Sequence, residues 1–306
     1  MNIKKMVIAA AAYPIEELGS WQSYATKIDL WLHQATAAGA QLALFPEYLA
    51  MELASLLPIG VRPSPSLQLA ALQDFLPDYL KLFCQMSERH VLYIVAGTFP
   101  VAVDGNTFRN RCYCFFPDGS FGYQDKLVMT RFEREVLKID AGNALTVFPT
   151  DSGSLGICIC YDIEFPHIAR KLAEAGADVL LVPSCTDTMY GHHRVRVSCR
   201  ARALENQCFV VRSAAVGYAG WSEAIDINIG NAAILTPIDS GFPQDGILAE
   251  SLLNQGQWLF ADLDTSTLAE VRQNGQILNY RDWNQQLREF PLAVFGAAMN
   301  RYVDSE

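Results

Sequence analysis

Short apolar runs rich in β-branched and aromatic residues alternate with longer amphipathic stretches through most of the chain, the pattern of an α/β layered fold. The runs predict strands at Lys5 to Ala11, Leu42 to Phe45, Tyr93 to Thr98, Cys112 to Phe116, Gly156 to Cys160, Val179 to Pro183, Phe209 to Ala214 and Ala232 to Leu235. Between the first two, Ser20 to Ala38 carries Trp21, Tyr24, Ala25, Ile28, Trp31, Leu32 and Ala35 at close to helical spacing, with Gly39 as its stop. Leu69 to His90 and His167 to Ala175 read as helices in the same way. Phe115-Phe116 leads through Pro117-Asp118-Gly119-Ser120 into Phe121-Gly122-Tyr123, which predicts a hairpin and therefore mixed strand directions. Pro58 to Ser66 is a Pro-rich loop, the stretch after Asp282 is an extension without a motif, and no internal repeat is visible.

Composition narrows this picture. The 306 residues are 51% hydrophobic and 18% charged, enough apolar material for an extensive core and too little charge for disorder, and they read as one domain. A net charge of -10 opposes a nucleic-acid partner. Lys4-Lys5 followed by Met6 to Ala12 imitates a short signal peptide, but a first buried strand explains the same residues. No apolar run approaches the roughly 18 residues of a membrane span, so no membrane partner is expected. Eight cysteines without small-scaffold spacing suggest reduced thiols and a cytoplasmic protein.

Three strand ends deliver reactive groups into loops. Leu44-Phe45-Pro46 ends in Glu47, a carboxylate preceded by a wholly apolar run; partial desolvation there would raise its pKa toward the range of a general base, although a helix-starting glutamate explains it equally well. Lys126 leaves the hairpin beside Leu127-Val128 and would supply a fixed cation for a developing oxyanion, against the commoner reading of a surface lysine. Cys160 closes the run Gly156-Ile157-Cys158-Ile159-Cys160, where the N-H groups of the following turn lower a thiol pKa and stabilise an oxyanion. Cys158 shares its strand face, but a C-x-C pair without a second pair at ligand spacing does not build the usual metal site, so Cys158, Cys112 and Cys114 read as packing. A Cys-His mechanism with His167, His192 or His193 is the competing chemistry. It is disfavoured because His167 lies in the helix leaving the turn, and His192-His193 falls in a polar loop.

Taken together, Glu47 in Phe-Pro-Glu, Lys126 after the hairpin and Cys160 in Cys-Tyr-Asp-x-x-Phe-Pro resemble the nitrilase superfamily of carbon-nitrogen hydrolases, with its Glu-Lys-Cys triad in that chain order. Ala175 to Ser184 resembles the strand after the family's nucleophile helix, and Arg200 to Asn206 its Arg-Ala-x-x-Asn helix. The flanks of Lys126 depart from the family pattern. The resemblance covers residues 1–283, with 284–306 as a C-terminal extension of the same domain. It implies an αββα sandwich of two mixed β-sheets flanked by helices, with two subunits forming a four-layer homodimer through the helix after the nucleophile. It also implies a second glutamate seven residues before a glycine, which selects Glu135, before Gly142, over Glu133. The Tyr-Asp after Cys160 resembles the amidase and carbamoylase branches rather than nitrilases proper.

The implied reaction is hydrolysis of a small-molecule amide or carbamoyl bond through a Cys160 thioester. Glu47 is the base, Lys126 and the Tyr161 N-H hold the oxyanion, Glu135 orients Lys126, and no cofactor or metal takes part. Nitrile hydrolysis, acyl transfer to an amine and a catalytically silent binding protein are the alternatives. The Ser184 to Arg196 loop is expected to line the pocket through Ser184, Thr186, Tyr190, His192 and Arg194, with Arg194 or Arg196 facing a substrate carboxylate if not simply solvated, and Trp221 and Phe132 as apolar wall.

Overall fold

The structure is a computed structural model that describes residues 5–104 and 107–291. Its centre is β1 (Lys5–Pro14), whose Ala9 to Ala12 are fully buried. A strand covered on both faces has to be apolar throughout, and a run of alanines lets the layers on either side come close. β1 is followed by α1 (Trp21–Ala37), capped by Ser20, and then by β2 (Leu42–Phe45). Next come α2 (Pro65–Leu72), α3 (Leu76–His90), β3 (Tyr93–Asp104), β4 (Thr107–Phe115) and β5 (Phe121–Asp125). The second half contains β6 (Val147–Thr150), β7 (Gly153–Ile157), α4 (Pro166–Glu174), β8 (Val179–Ser184), α5 (Met189–Asn206) and β9 (Phe209–Tyr218). It closes with β10 (Ile227–Asn228), β11 (Ala233–Leu235), β12 (Ile247–Glu250), β13 (Gln257–Asp264), α6 (Thr265–Asn274) and α7 (Asn279–Asp282).

The strands run in the order β5-β4-β3-β2-β1-β9-β8-β7-β6, with β13 antiparallel to β1 and β11 antiparallel to β9. The two halves join at β1, where Ala12 to Pro14 pair with Ala214 to Val216 of β9 and Lys5 to Ala12 pair with Gln257 to Asp264 of β13. From that seam two mixed sheets face each other. Ile8, Ala10, Leu42, Leu44, Val95 and Cys112 of the first share one core with Leu155, Ile157, Leu180 and Val210 of the second, and with Leu172 and Cys199 of the α4–α5 layer. The opposite face of the first sheet, including Ala9, Tyr13 and Phe45, packs on Ile28 and Leu32 of α1 and on Tyr79 and Phe83 of α3. The alternation along β1 is the period-two signature that assigns one side to each layer, and the result is the αββα sandwich expected.

Several boundaries differ from the sequence reading: β3 runs on to Asp104, β4 already begins at Thr107 and β9 runs on to Tyr218, and three further differences have a local cause or consequence. The 69–90 segment is not one helix: it breaks at a 3-10 turn over Gln73–Phe75, because Pro77 at the start of α3 cannot donate backward and restrains the residue before it. The strand expected to reach Cys160 stops at Ile157, although the Cys158 N-H still donates to Leu181 O. The segment read as a loop from Ser184 to Arg196 turns helical at Met189, where the Thr188 hydroxyl accepts from the Gly191 N-H. Phe115 opposes Phe121 in the hairpin as predicted, with Gly119 taking the left-handed turn position. Part of the expected 284–306 extension, residues 292–306, lies outside the described residues. No helix among the described residues is long and apolar enough to cross a membrane.

Candidate active site

Glu47 follows β2 after Pro46, and that junction is fixed by close backbone packing. Gly97, inside β3, has φ +63°, and a Cβ on it would collide with Pro46 O; only glycine lets β3 approach the end of β2 so closely. Lys126 leaves β5 with its N-H bonded to Asn110 O of β4 and its carbonyl to the Gly142 N-H. Cys160 opens a 3-10 turn over Cys160–Glu164 with φ +47°, a left-handed conformation that costs energy for any residue with a side chain and that clusters at functional positions.

These three residues, from distant parts of the chain, line one cavity of about 490 Å³. The Lys126 ammonium, about 1% exposed, stands 2.7 Å from Glu47 Oε1 and 2.8 and 2.7 Å from the two oxygens of Glu133. Asn110 Nδ2 donates to both carboxylates, at 2.9 Å to Glu47 and 3.1 Å to Glu133. The Cys185 N-H holds the second Glu47 oxygen at 3.1 Å, and the Cys160 thiol donates to Cys185 O at 3.6 Å. Tyr48 OH donates to Glu133 at 2.8 Å, and the Thr130 N-H and hydroxyl donate to it at 2.8 and 2.9 Å.

The electrostatics follow from this arrangement. Burial pushes Glu47 above the ordinary carboxylate range; Lys126 opposes the shift and the charge of Glu133 adds to it. Burial pulls Lys126 down, but Glu133 and Glu47 outweigh it and hold the ammonium charged. Glu133 is also raised by burial, yet Lys126 and the donors from Thr130 and Tyr48 hold it low. Burial and the neighbouring Glu47 push the Cys160 thiol well up, so the resting group is a neutral thiol beside a buried carboxylate. The site therefore contains one fixed ion pair, Lys126–Glu133, and a second carboxylate able to take a proton.

The structure corrects the second glutamate. Glu135 lies on the surface, paired with the exposed Arg131 at 2.8 Å, and the position expected for it beside Lys126 is filled by Glu133. Thr130-Arg131-Phe132-Glu133 is a capping box, with the Glu133 N-H returning to Thr130 Oγ1 at 3.3 Å. That S/T-x-x-E signal is present in the sequence, and counting back from Gly142 overlooks it. Among the expected substrate contacts, Arg194 lines the cavity, as does Phe132. Ser184 is buried at the end of β8, Thr186 is tied to Ile229 O, Tyr190 is exposed, His192 is buried on α5, and none of the four belongs to the cavity wall. Trp221 walls a neighbouring cavity instead. His167 is exposed in the first turn of α4 and brings no base to the thiol.

Asp162, two residues past the thiol, ties its loop to the lysine loop. Its Oδ1 accepts from the Val128 N-H at 2.8 Å and the Leu127 N-H at 3.1 Å, and its Oδ2 from the Ile159 N-H at 3.2 Å. Burial raises its carboxyl to about 7, against the lowering influence of Lys126 and these three donors. Asp162→Asn turns an amide NH2 toward one of the two loops whichever way it is placed. We expect a loss of about 1–3 kcal/mol in urea unfolding; an unchanged midpoint would contradict the tether.

The fold is shared with solved structures. Nit3 of Saccharomyces cerevisiae, a member of branch 10 of the nitrilase superfamily, superposes with a TM-score of 0.68 at 20% identity, over 88% of this chain and 94% of that one. A double mutant of the amidase from Nesterenkonia sp. AN1, in complex with acrylamide, gives 0.66 at 19% identity, over 92% and 98%. At these identities the likeness is one of fold. The family follows from the sequence: the carbon-nitrogen hydrolase model matches residues 7–275, and the chain belongs to that family. It is 34% identical over 275 residues to a probable hydrolase, YhcX, of Bacillus subtilis, covering 90% of this chain but only 53%, about half, of that relative's length. It is 25% identical to the omega-amidase NIT2-B of Xenopus laevis, over 82% of this chain and 86% of that protein.

Proposed function

We propose that the chain hydrolyses a primary amide or carbamoyl bond of a small molecule through a Cys160 thioester. The observation that carries the reading is the buried Lys126 ammonium bridging Glu47 and Glu133 in the cavity that also holds the Cys160 thiol. Glu47 takes the thiol proton as sulfur bonds to the carbonyl carbon, and Lys126 with the Tyr161 N-H receives the charge on oxygen. The C–N bond breaks as Glu47 returns the proton to the departing nitrogen. Glu47 then deprotonates a water that attacks the thioester, releasing the acid and restoring the thiol. Glu133 keeps Lys126 charged and in place without exchanging protons. Cys160 with its left-handed φ is the nucleophile of this scheme. The omega-amidase among the relatives supports an amide over a nitrile.

The test is a panel of primary amides, carbamoyl compounds and nitriles assayed for ammonia release. Turnover of amides or carbamoyl compounds is expected; turnover confined to nitriles would overturn the assignment of the bond. A pH profile tests the base. Because Glu47 must be ionised to act and its pKa is raised, kcat/KM falls as pH drops through a value above the ordinary 4.5 of a glutamate. An acid limb at or below 4.5 would contradict Glu47 as the base.

A further inference from the structure

The catalytic cavity does not stand alone. A second cavity of about 770 Å³ abuts it, and Glu223 and Asp226 line both. The outer chamber lies between the 59–63 loop and the 218–226 segment, with Ile59, Pro63, Tyr218 and Trp221 as its apolar surface. Its two sides are stapled together by Gln68, which is fully buried. Gln68 Nε2 donates to Arg62 O and, at 3.2 Å, to Trp221 O, and its Oε1 accepts from Ser222 Oγ at 2.7 Å. A chamber held open by a buried amide is formed before any ligand arrives. Ile59 and Tyr218 remain 82% and 72% exposed at its lip, and the shielded Trp221 indole N-H has no acceptor in the protein.

The charges along this path are uneven. Each arginine on it is already engaged: Arg131 by Glu135, Arg194 by Glu164 at 3.4 Å, and Arg62 by Glu17 at 2.8 Å and by Leu57 O. Asp187, Glu223 and Asp226 take part in no ion pair among the described residues, although they face the same space. The passage therefore offers anionic groups and no uncommitted cation.

We infer that the substrate is an amide with a cationic tail: its carbonyl sits at Cys160, an ammonium group lies between Glu223 and Asp226, and any apolar continuation occupies the outer chamber. The inference rests on the amidase reading and specifies its substrate class. The experiment compares linear primary amides of four to eight carbons ending in an ammonium, a methyl or a carboxylate group. Expected is a kcat/KM for the ammonium amides about fivefold or more above the methyl ones, the factor of two partly exposed ion pairs, with the carboxylate amides poorest. The preference shrinks as salt rises, because exposed charges are screened. The ratio of ammonium to methyl kcat/KM falls toward one in Glu223→Gln and further when Asp226→Asn is added. Equal rates for all tails, a preference for carboxylate, or a salt-independent ratio in the wild type overturns the inference even if the variants do not fold. If Cys160 is acylated by amides without regard to tail charge, this inference alone fails; if no amide acylates it, the amidase reading fails with it.

Discussion

Cys160→Ala will reduce ammonia release from an amide substrate to the uncatalysed background, a loss on the order of ten-thousandfold or more in kcat, as removal of a covalent nucleophile gives in other hydrolases. Binding survives the change, because the thiol is one small part of a cavity of about 490 Å³. Cys160→Ser keeps the geometry but offers an alcohol whose proton Glu47 cannot remove nearly as well, so it is severely impaired. Cys158→Ala is the internal control. Cys158 is buried in the core between the sheets, its thiol pushed up by desolvation, and it lies outside the cavity wall. Turnover should survive in Cys158→Ala and not in Cys160→Ala; the reverse order would remove Cys160 from the mechanism.

Glu133→Gln will be strongly damaging although it leaves Cys160, Glu47 and Lys126 in place. Glu133 receives two contacts from Lys126 and one each from Tyr48 and Asn110, besides two from Thr130. An amide cannot match the ammonium, and it turns a donor toward groups that already donate. Breaking a buried ion pair from one side typically costs about 3–5 kcal/mol in stability, and displacing an oxyanion-stabilising group costs about 100–1,000-fold in kcat. The remaining Lys126 charge then falls wholly to Glu47. Since Glu133 raises Glu47 and Lys126 lowers it, the acid limb of the variant's pH profile moves down relative to wild type. Glu135→Gln breaks only an exposed surface pair, worth at most about 1 kcal/mol, and leaves kcat unchanged. Equal effects from the two variants would contradict the assignment of Glu133.

The contrast between these glutamates shows where sequence reasoning reaches its limit. Glu47, Lys126 and Cys160 are legible because each follows a strand readable in the sequence, Glu47 and Cys160 after apolar runs and Lys126 after the hairpin, and a strand end is where an α/β fold presents chemistry. Choosing between Glu133 and Glu135 needs the path of a short turn, since two residues of helix-like chain swing a side chain from one face to the other. Asn110 is visible as a polar residue between Phe108 and Cys112, but its partners lie 63 and 23 residues away. The 184–196 segment reads as a loop because its residues are polar, whereas Thr188 caps a helix that carries Tyr190 outward and His192 into the interior. β13 escapes the sequence reading although it pairs with β1 from Lys5 to Ala12, because its partner lies at the other end of the chain and nothing local announces the pairing. The α/β class, the hairpin and the nucleophile turn depend on local pattern; the seam between β1 and β9 depends on long-range packing that no local window contains.

The central claim is a covalent acyl-enzyme on one particular thiol. The most direct measurement is intact-mass analysis of the protein quenched in acid during turnover of an amide, followed by peptide mapping. A mass increment equal to the acyl group, located on Cys160 and lost on further incubation as the acid accumulates, is the result predicted. An acyl group on Cys158 or Cys185, or steady ammonia release by Cys160→Ala, would contradict it.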